Sequence, residues 1–469
     1  MHSLIANRTN VNSACKICQP QQTCHTCHLA CNLAAFLHLN DDTMLLKENL
    51  SRTFYQATAN NAVCPSLHET LDCEVCIIGG GFAGLATALG LLERGVKNIV
   101  LLEAEQIGHG ASGRNGGFVF GGFSLDNAEL LRQLGREPAR RLYQLTLDGV
   151  DLIRKRIRQY SIDCDINESG VLLANWFDDE KALIRQREFM LREFAVDWSL
   201  WSREQTRASL QTDRYSGALH EKNAFHFHPL KYAQGLARTL SDSDVKVFEQ
   251  SRVTSIDNNA ADKQVRTSNG LVKARHVVVC CGGYIEKLYP QLAASVLPIA
   301  TYVMATEKLG EQLQTAMKTG AAVYDTRFAF DYYRPLADSR LLWGGRISIQ
   351  EKQPEQVASL LYRDMLKVYP QLAGTRVEYA WSGLMSYARH KMPQIGCLPN
   401  GIWYAMGFGG HGVAPTTLAG ELVAQAIAHG KTLLTGLDQY GLPPVFGKLG
   451  LMAAQCAYWY YELRDWMRE

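Results

Sequence analysis

Residues 73–117 read CEVCIIGGGFAGLATALGLLERGVKNIVLLEAEQIGHGASGRNGG, and the fold is decided there. Val75–Ile78 is an apolar run of the length of a buried strand. Gly79-Gly80-Gly81-Phe82-Ala83-Gly84 then satisfies G-x-G-x-x-G, with its glycines at 79, 81 and 84. Ala83–Arg94 is rich in strong helix formers and is stopped by Gly95. Asn98–Leu102 is a second apolar run, ending in Glu103, nineteen residues after Gly84. The spacing has a chemical reason. Gly79 permits a tight turn, Gly81 lets backbone approach a pyrophosphate, and Gly84 lets the helix lie close on the strand. The helix N-terminus faces the phosphates, and Glu103 can accept from a ribose hydroxyl. The pattern predicts a dinucleotide site without choosing between FAD and NAD.

The choice comes from the next stretch. From Gly110, six of eight positions are glycine or another small residue, in Gly-Ala-Ser-Gly-Arg-Asn-Gly-Gly. A second glycine-rich loop so close behind the ribose-binding acid is not expected in a plain NAD domain. The loop resembles the one that lies against the flavin ring in the D-amino-acid-oxidase-like family of FAD amine oxidoreductases. The resemblance runs from about Tyr55 to the C-terminus. It takes in IGHGASGRNGG, FHFHPL, FDYYRPLADSRLLWGG, and GFGGHG followed by TLAG. It implies an α/β fold, with a Rossmann-like FAD-binding domain interleaved with a sheet-containing substrate domain. It also implies cofactor contacts at Ser112, Gly113, Arg114, Asn115, Gly116 and Gly117 in the flavin loop. Val253 and Gly282 on later strands, and Gly409, Gly410, His411 and Gly412 in a third glycine-rich loop, complete the expected set.

Composition sets the bounds. The chain has 469 residues, enough for two domains or an interleaved pair. With 47% hydrophobic and 20% charged residues and a net charge of +2, no bulk field argues for nucleic acid or an anionic membrane. No apolar run reaches the roughly 18 residues of a spanning helix. Of thirteen cysteines, most beyond residue 31 are scattered, many in apolar runs, which suits a reducing cytoplasm. Cys15, Cys18, Cys24, Cys27 and Cys31 crowd the N-terminus. Their two C-x-x-C pairs could give four thiolates to zinc, but only five residues separate the pairs, shorter than the usual zinc-ribbon loop. Cys24 to His28 matches the c-type haem pattern, yet too few residues lie before the nucleotide fold to enclose a porphyrin. Residues 1–45 are expected to be a mobile extension, or sequence upstream of a start at Met44. No secretory signal is evident.

Domain organisation follows the strand and helix signals. Residues 46–72 form an arm. Residues 73–120, 215–290 and 376–440 are assigned to the FAD-binding domain, 121–214 and 291–375 to the substrate domain, and 441–469 to a C-terminal helix docked on the body. His226 and His228 alternate with Phe225 and Phe227, predicting both imidazoles on one face of a strand. No third ligand is apparent beside them, and no metal is expected. Cys280 and Cys281 should point to opposite faces of a strand as buried thiols. Leu360–Tyr369 and Leu418–Ala428 read as helices.

The resemblance implies hydride removal from the carbon beside a substrate nitrogen. The helix beginning near Gly412–Thr416 would oppose negative charge on the flavin, and His411 could add a hydrogen bond. Tyr332 and Arg334, two residues apart on one strand face, are the candidate substrate contacts, with Arg114 a second guanidinium. Each has a plain structural alternative in packing, loop support or ion pairing. Relatives with covalent flavin carry a cysteine near the Leu384–Tyr387 stretch. Leu384, Met385 and Ser386 stand here, so FAD should be noncovalent. A substrate-gripping lysine after G-H-G is replaced by Val413, Ala414 and Pro415, favouring an amine or a longer ligand over a simple amino acid. The expectation is a cytoplasmic oxidoreductase acting on gamma-glutamylputrescine or a related amine, with oxygen or another electron acceptor. Its rivals are an oxidase or dehydrogenase of a D-amino acid or of a cyclic imino acid such as pipecolate, and a redox-sensing or metal-binding protein with structural FAD. No G-x-S-x-G elbow supports a hydrolase.

Overall fold

The apolar run at Val75–Ile78 is the end of a longer strand, Thr70–Ile78, and it lies inside an eight-stranded sheet. The extension arises because Thr70–Cys73 pairs in parallel with Leu271–Ala274, which lengthens the ladder beyond the fully buried stretch. In this computed structural model, residues 50, 52–60, 63–258, 262–430 and 436–469 are described; the cysteine-rich N-terminal segment lies outside them. Six strands run in the order Gln394–Cys397, Ile402–Met406, Leu271–Val279, Thr70–Ile78, Ile99–Leu102 and Val245–Phe248, and Lys263–Thr267 with Val253–Asp257 branches from Leu271–Val279. Four of these pairings are parallel, and Gln394–Cys397 closes one edge antiparallel. Ile99–Leu102 is buried at every position, as a parallel strand covered on both faces must be.

Helix Phe82–Glu93 is apolar almost all round because it is enclosed. Its outer neighbour is helix Val413–His429. A Cβ added at Gly420 would meet Ala86 Cβ at 2.6 Å, and one at Gly90 would meet Ala424 Cβ at 2.9 Å, so glycine lets the two backbones approach. Buried Arg156, on helix Arg136–Gln159, ties them together by contacting Glu93 at 2.6 Å and Glu421.

A second eight-stranded sheet runs Val377–Ala388, Val296–Thr306, Leu341–Ser348, Asp331–Pro335, Ala322–Asp325, Val171–Ala174, Ala218–Glu221 and Ser199–Trp201. All its pairings are antiparallel except Ala322–Asp325 on Val171–Ala174. Helix Pro354–Val368 packs on it, starting six residues before the predicted Leu360. Pro354 occupies the first turn, and Gln353 forms a reciprocal capping box with Gln356. Phe118–Val119, directly after the flavin loop, pairs with Phe225–His226 in a two-stranded ribbon beside Gly116 and Gly117. The strand ends at His226. His228 is instead the N-cap of helix Pro229–Ser241, its Nδ1 accepting from Lys231 N–H at 3.1 Å. The expected single strand face for both imidazoles is therefore not formed. His226 Nε2 meets Gly320 O at 2.7 Å, and His228 Nε2 meets Thr58 Oγ1 at 3.0 Å. Among the described residues no group of three or more His, Cys, Asp or Glu is arranged to hold a metal ion. None of their helices is long and apolar enough to cross a membrane.

Candidate flavin and substrate site

The turn after Thr70–Ile78 opens into a cavity of about 1620 Å³. Gly79 has φ +112°, and a Cβ there would lie 2.8 Å from Cys280 O, so backbone and neighbour both require glycine. Gly81 lines the cavity; Gly84 does not, because a Cβ on it would collide with Gly79 O inside the helix–strand contact. Glu103 sits at the end of the second strand. Its Oε2 accepts from Gly80 N–H at 2.6 Å and its Oε1 from Glu105 N–H at 2.9 Å. Burial raises its carboxyl above the ordinary range, opposed by those two amides. Ser112 Oγ accepts from Phe82 N–H at 2.9 Å and stands 2.9 Å from a Cβ built on Gly81. The flavin loop thus takes one amide of the first turn of helix Phe82–Glu93, while Gly81, Phe82 and Ala83 still border the cavity.

Val253 and Gly282 line the same cavity, as do Arg114, Asn115, Gly116 and the Gly409–Gly412 loop. Gly113 and Gly117 do not; Cβ atoms there would run into Gly108 O and Phe227 O, so these glycines fix the loop against its surroundings. Three glycine-rich turns from distant parts of the chain thus border one elongated space. A cradle of backbone at Gly79–Gly81, a carboxylate at Glu103 and a helix N-terminus match the chemistry of a dinucleotide. The residues present fit FAD. Leu384, Met385 and Ser386 line the cavity without a thiol, Ser386 Oγ accepting from Gly407 N–H at 2.8 Å. Cys280 and Cys281 do line it, but burial pushes the Cys280 thiol up to about 12 and raises Cys281 as well, so both stand protonated.

Residues 74–426 match the family model DAO, FAD dependent oxidoreductase. The chain belongs to that family. Among curated DAO-type relatives, it is 37% identical to gamma-glutamylputrescine oxidoreductase of Escherichia coli K12, over 80% of this chain and 88% of that one. It is 32% identical to the probable oxidoreductase OrdL of Haemophilus influenzae Rd, over 89% and 98%. Glycine oxidase from Geobacillus kaustophilus shares the fold with a TM-score of 0.68 at 19% identity, covering 80% of this chain and 99% of the other. L-proline dehydrogenase from P. horikoshii does so with a TM-score of 0.66 at 18% identity, covering 79% and 97%. The protein is an FAD-dependent oxidoreductase of a family that oxidises C–N bonds of amines or amino acids.

The substrate side departs from the sequence expectation. Tyr332 lines the cavity, packed against Gly116, where an added Cβ would come 2.6 Å from its ring. Arg334 shares that strand face but lies deeper, 2% exposed and outside the cavity wall. Its Nε donates to Gly116 O at 2.6 Å; its Nη2 donates to Phe227 O at 2.8 Å and to Tyr55 Oη at 3.2 Å. Its Nη1 lies 3.3 Å from His226 Nδ1. The guanidinium's hydrogen bonds go to the underside of the flavin loop, to Phe227 O and to Tyr55, and it does not line the cavity. Tyr55 extends that support, donating to Asn115 O at 2.8 Å. Arg114 holds the loop from the cavity side, with Nε on His109 O and Nη1 on Ser382 O at 2.7 and 3.1 Å.

His411 lines the cavity, with its ring 4.1 Å from Phe120. Burial pulls its pKa down to about 4, so the imidazole is neutral at pH 7. Nε2, 2.8 Å from Gly121 O, must carry the proton, because a carbonyl only accepts. Nδ1 is left as an acceptor.

Sequence reasoning missed an aromatic chamber. Phe118, Phe120, Tyr324, Phe330 and Tyr332 all line the cavity and form a closed circuit of rings. Successive centroids lie 6.3, 5.5, 6.1, 6.4 and 5.6 Å apart. Each ring borders the cavity, where a cation within ~6 Å of an aromatic face is attracted to it. Arg327 and Arg346 line the same cavity. Arg327 is paired with Asp325 and Asp331 at 2.6 and 2.7 Å, and Arg346 with Asp364 at 2.8 Å and with Glu462. Arg468, over the Phe177 ring at 3.9 Å, also lines it. The pairwise alternation of Phe118 with Phe120 and of Phe330 with Tyr332 was visible in the sequence; their convergence with Tyr324 was not.

Proposed function

We propose that this enzyme oxidises the primary amine of gamma-glutamylputrescine or of a closely related alkylamine, using noncovalent FAD. The observation that carries the reading is the aromatic chamber beside Gly116 and His411, which suits an alkylammonium. Arg334 behind it is consumed by the carbonyls of Gly116 and Phe227, Arg327 by Asp325 and Asp331, and Arg114 by the carbonyls of His109 and Ser382, so the chamber offers no uncommitted guanidinium for a carboxylate next to the amine. That separates the amine reading from the D-amino-acid or pipecolate alternative. Arg468, on the cavity wall, is the cation assigned to a distal carboxylate such as that of a glutamyl group. The 37% identity to gamma-glutamylputrescine oxidoreductase supports the same substrate class.

FAD, when bound, accepts a hydride from the carbon beside the substrate nitrogen. The chain supplies placement and polarity. Gly79–Gly81, Glu103 and the N-terminus of helix Phe82–Glu93 would hold the dinucleotide end. The N-terminus of helix Val413–His429, capped at Gly412, brings positive potential to the flavin end without a charged side chain. The chamber orients the alkyl chain and excludes water from it. The ammonium gives up one proton to solvent before the hydride leaves, and His411 Nδ1 is assigned to accept a hydrogen bond from the resulting neutral amine, directing its lone pair. The oxidised amine leaves as an imine that water converts to an aldehyde. Anaerobic mixing of the yellow enzyme with a panel of amines and amino acids tests this. Gamma-glutamylputrescine should bleach the flavin fastest; faster bleaching by a D-amino acid or by pipecolate would overturn the assignment. Flavin remaining on the acid-denatured chain would overturn the noncovalent attachment.

A further inference from the structure

Helix Gly447–Trp466 has two unlike faces, and only one is accounted for by the fold. Ala454, Tyr458 and Tyr461 face inward and line the cavity, with exposed Ala453 and Ala457 at its edge. The helix is fastened on that side. Asp465 Oδ2 accepts from Phe328 and Ala329 N–H at 2.6 and 3.2 Å, Gln455 Oε1 accepts from Ile349 N–H at 3.1 Å, and Glu462 pairs with Arg346. The opposite face carries Leu449, Met452, Trp459, Leu463 and Trp466, each more than half exposed, at spacings of three or seven and four or three that keep one side of a helix. Phe446, Tyr460 and Met467, exposed to the same degree, widen the stripe. Eight large apolar or aromatic residues more than half exposed thus lie along or at the ends of one helix, where an ordinary monomer rarely exposes contiguous apolar surface beyond a few hundred Å². The stripe is about 26 Å long at 1.5 Å per residue.

The charges on this helix say what fits it. Its acids Glu462 and Asp465 are engaged inward, and Glu469 just beyond accepts from Trp176 Nε1. Lys448 and Arg464 have no acid partner among the described residues, and Arg464 rests over the Tyr461 ring. At the N-terminal end Arg389 lies over the Phe446 ring. The outer face is therefore apolar and aromatic with a cationic rim. A second copy lying antiparallel on it would set the Lys448 end of one helix against the Arg464 end of the other, cation against cation. An anionic lipid surface meets both features. Leu and Met sides enter the acyl boundary, Trp and Tyr sit at headgroup level, and the basic residues meet the phosphates.

We infer that Gly447–Trp466 is an interfacial helix that docks the enzyme peripherally on a membrane surface bearing anionic headgroups, with the mouth of the substrate cavity beneath its inner face. The inference does not depend on which amine is oxidised. The test is co-sedimentation of the FAD-loaded full chain with vesicles of phosphatidylcholine alone and of an equimolar phosphatidylcholine–phosphatidylglycerol mixture. Binding should favour the mixed vesicles at least about tenfold, and the preference should vanish in high salt. The double variant Leu449→Gln/Leu463→Gln should lose binding to both vesicles. Lys448→Glu/Arg464→Glu should lose the preference for anionic lipid, and each double variant should keep its flavin absorbance. A chain that stays in the supernatant with both vesicles overturns the proposal. So does sedimentation velocity showing a dimer that Leu449→Gln/Leu463→Gln dissociates while lipid binding is absent, since a second copy would then cover the stripe. The charge variant, altered only at exposed side chains, keeps the test decisive if the apolar variant misfolds.

Discussion

Replacing Arg334 by alanine should damage the flavin loop rather than substrate binding. The guanidinium is buried and has no carboxylate partner among the described residues; it is solvated by Gly116 O, Phe227 O, Tyr55 Oη and the neutral ring of His226. Truncation leaves two backbone carbonyls in the interior without a charge-assisted donor, each worth roughly 1.5–3 kcal/mol. Removing the cation also removes its own cost of burial, so the net loss is about 2–4 kcal/mol of stability. That is a large share of the roughly 5–15 kcal/mol that holds a typical native chain. The loss is local to Gly116, so FAD retention should fall with it. Arg334→Lys should recover only part, because an ammonium cannot fork between two carbonyls. Urea unfolding midpoints, FAD per chain from visible absorbance, and KM for gamma-glutamylputrescine and for putrescine give the readout. A variant with parental stability and full FAD that loses only the carboxylate-bearing substrate would refute the reasoning and return Arg334 to the substrate site.

Glu103→Ala orphans the Gly80 and Glu105 amides and removes the ribose acceptor, so FAD should bind more weakly by roughly 1.5–3 kcal/mol in fluorescence titrations of apoprotein; unchanged affinity would mean that the acid does not face the ribose. Tyr324→Leu should lower kcat/KM for alkylamines by the roughly 0.5–2 kcal/mol of one cation–π contact while leaving FAD content intact, and an equal loss on an uncharged probe amide would indicate packing alone. Burial holds His411 at about 4 and His226 and His228 at about 3, below the ordinary 6.5. The stability they allow is therefore full above about pH 6.5 and is lost as pH falls toward those values, at up to about 1.4 kcal/mol per pH unit each. Tm should drop steeply between pH 6.5 and 4, and a slope unaltered in both His226→Gln and His228→Gln would show that these rings are not the proton acceptors.

What the sequence made legible was what is local. Gly79, Gly81, Gly84 and Glu103 lie within one strand–helix–strand unit, where each residue's neighbours are set by a few positions of chain. The strand gained five residues at its start only because Leu271–Ala274, some two hundred residues away, continues the ladder. Helix Pro354–Val368 began early because capping by Gln353 and Gln356 extended a pattern read from apolar positions alone. His228 left the strand because Pro229 has no N–H and suits a helix's first turn, which makes the residue before it a cap.

The substrate side was illegible for a different reason. Alternation correctly put Tyr332 and Arg334 on one face, but it carries no depth. Depth is set by Gly116, whose missing Cβ lets Tyr332 lie against the loop, and by the ribbon of Phe118–Val119 on Phe225–His226, which brings Phe227 O to the guanidinium. A polar pair two residues apart is thereby divided. Tyr332 joins Phe330 beside it and three rings from two other stretches in the chamber proposed for an alkylammonium, while Arg334 becomes the strut behind it. The same division explains how the site can favour a cation with so little fixed negative charge beside it. The carbonyls of Gly116 and Phe227 are taken by Arg334, and His411 stays neutral, so on the proposed reading the rings themselves are left as the groups that meet the amine.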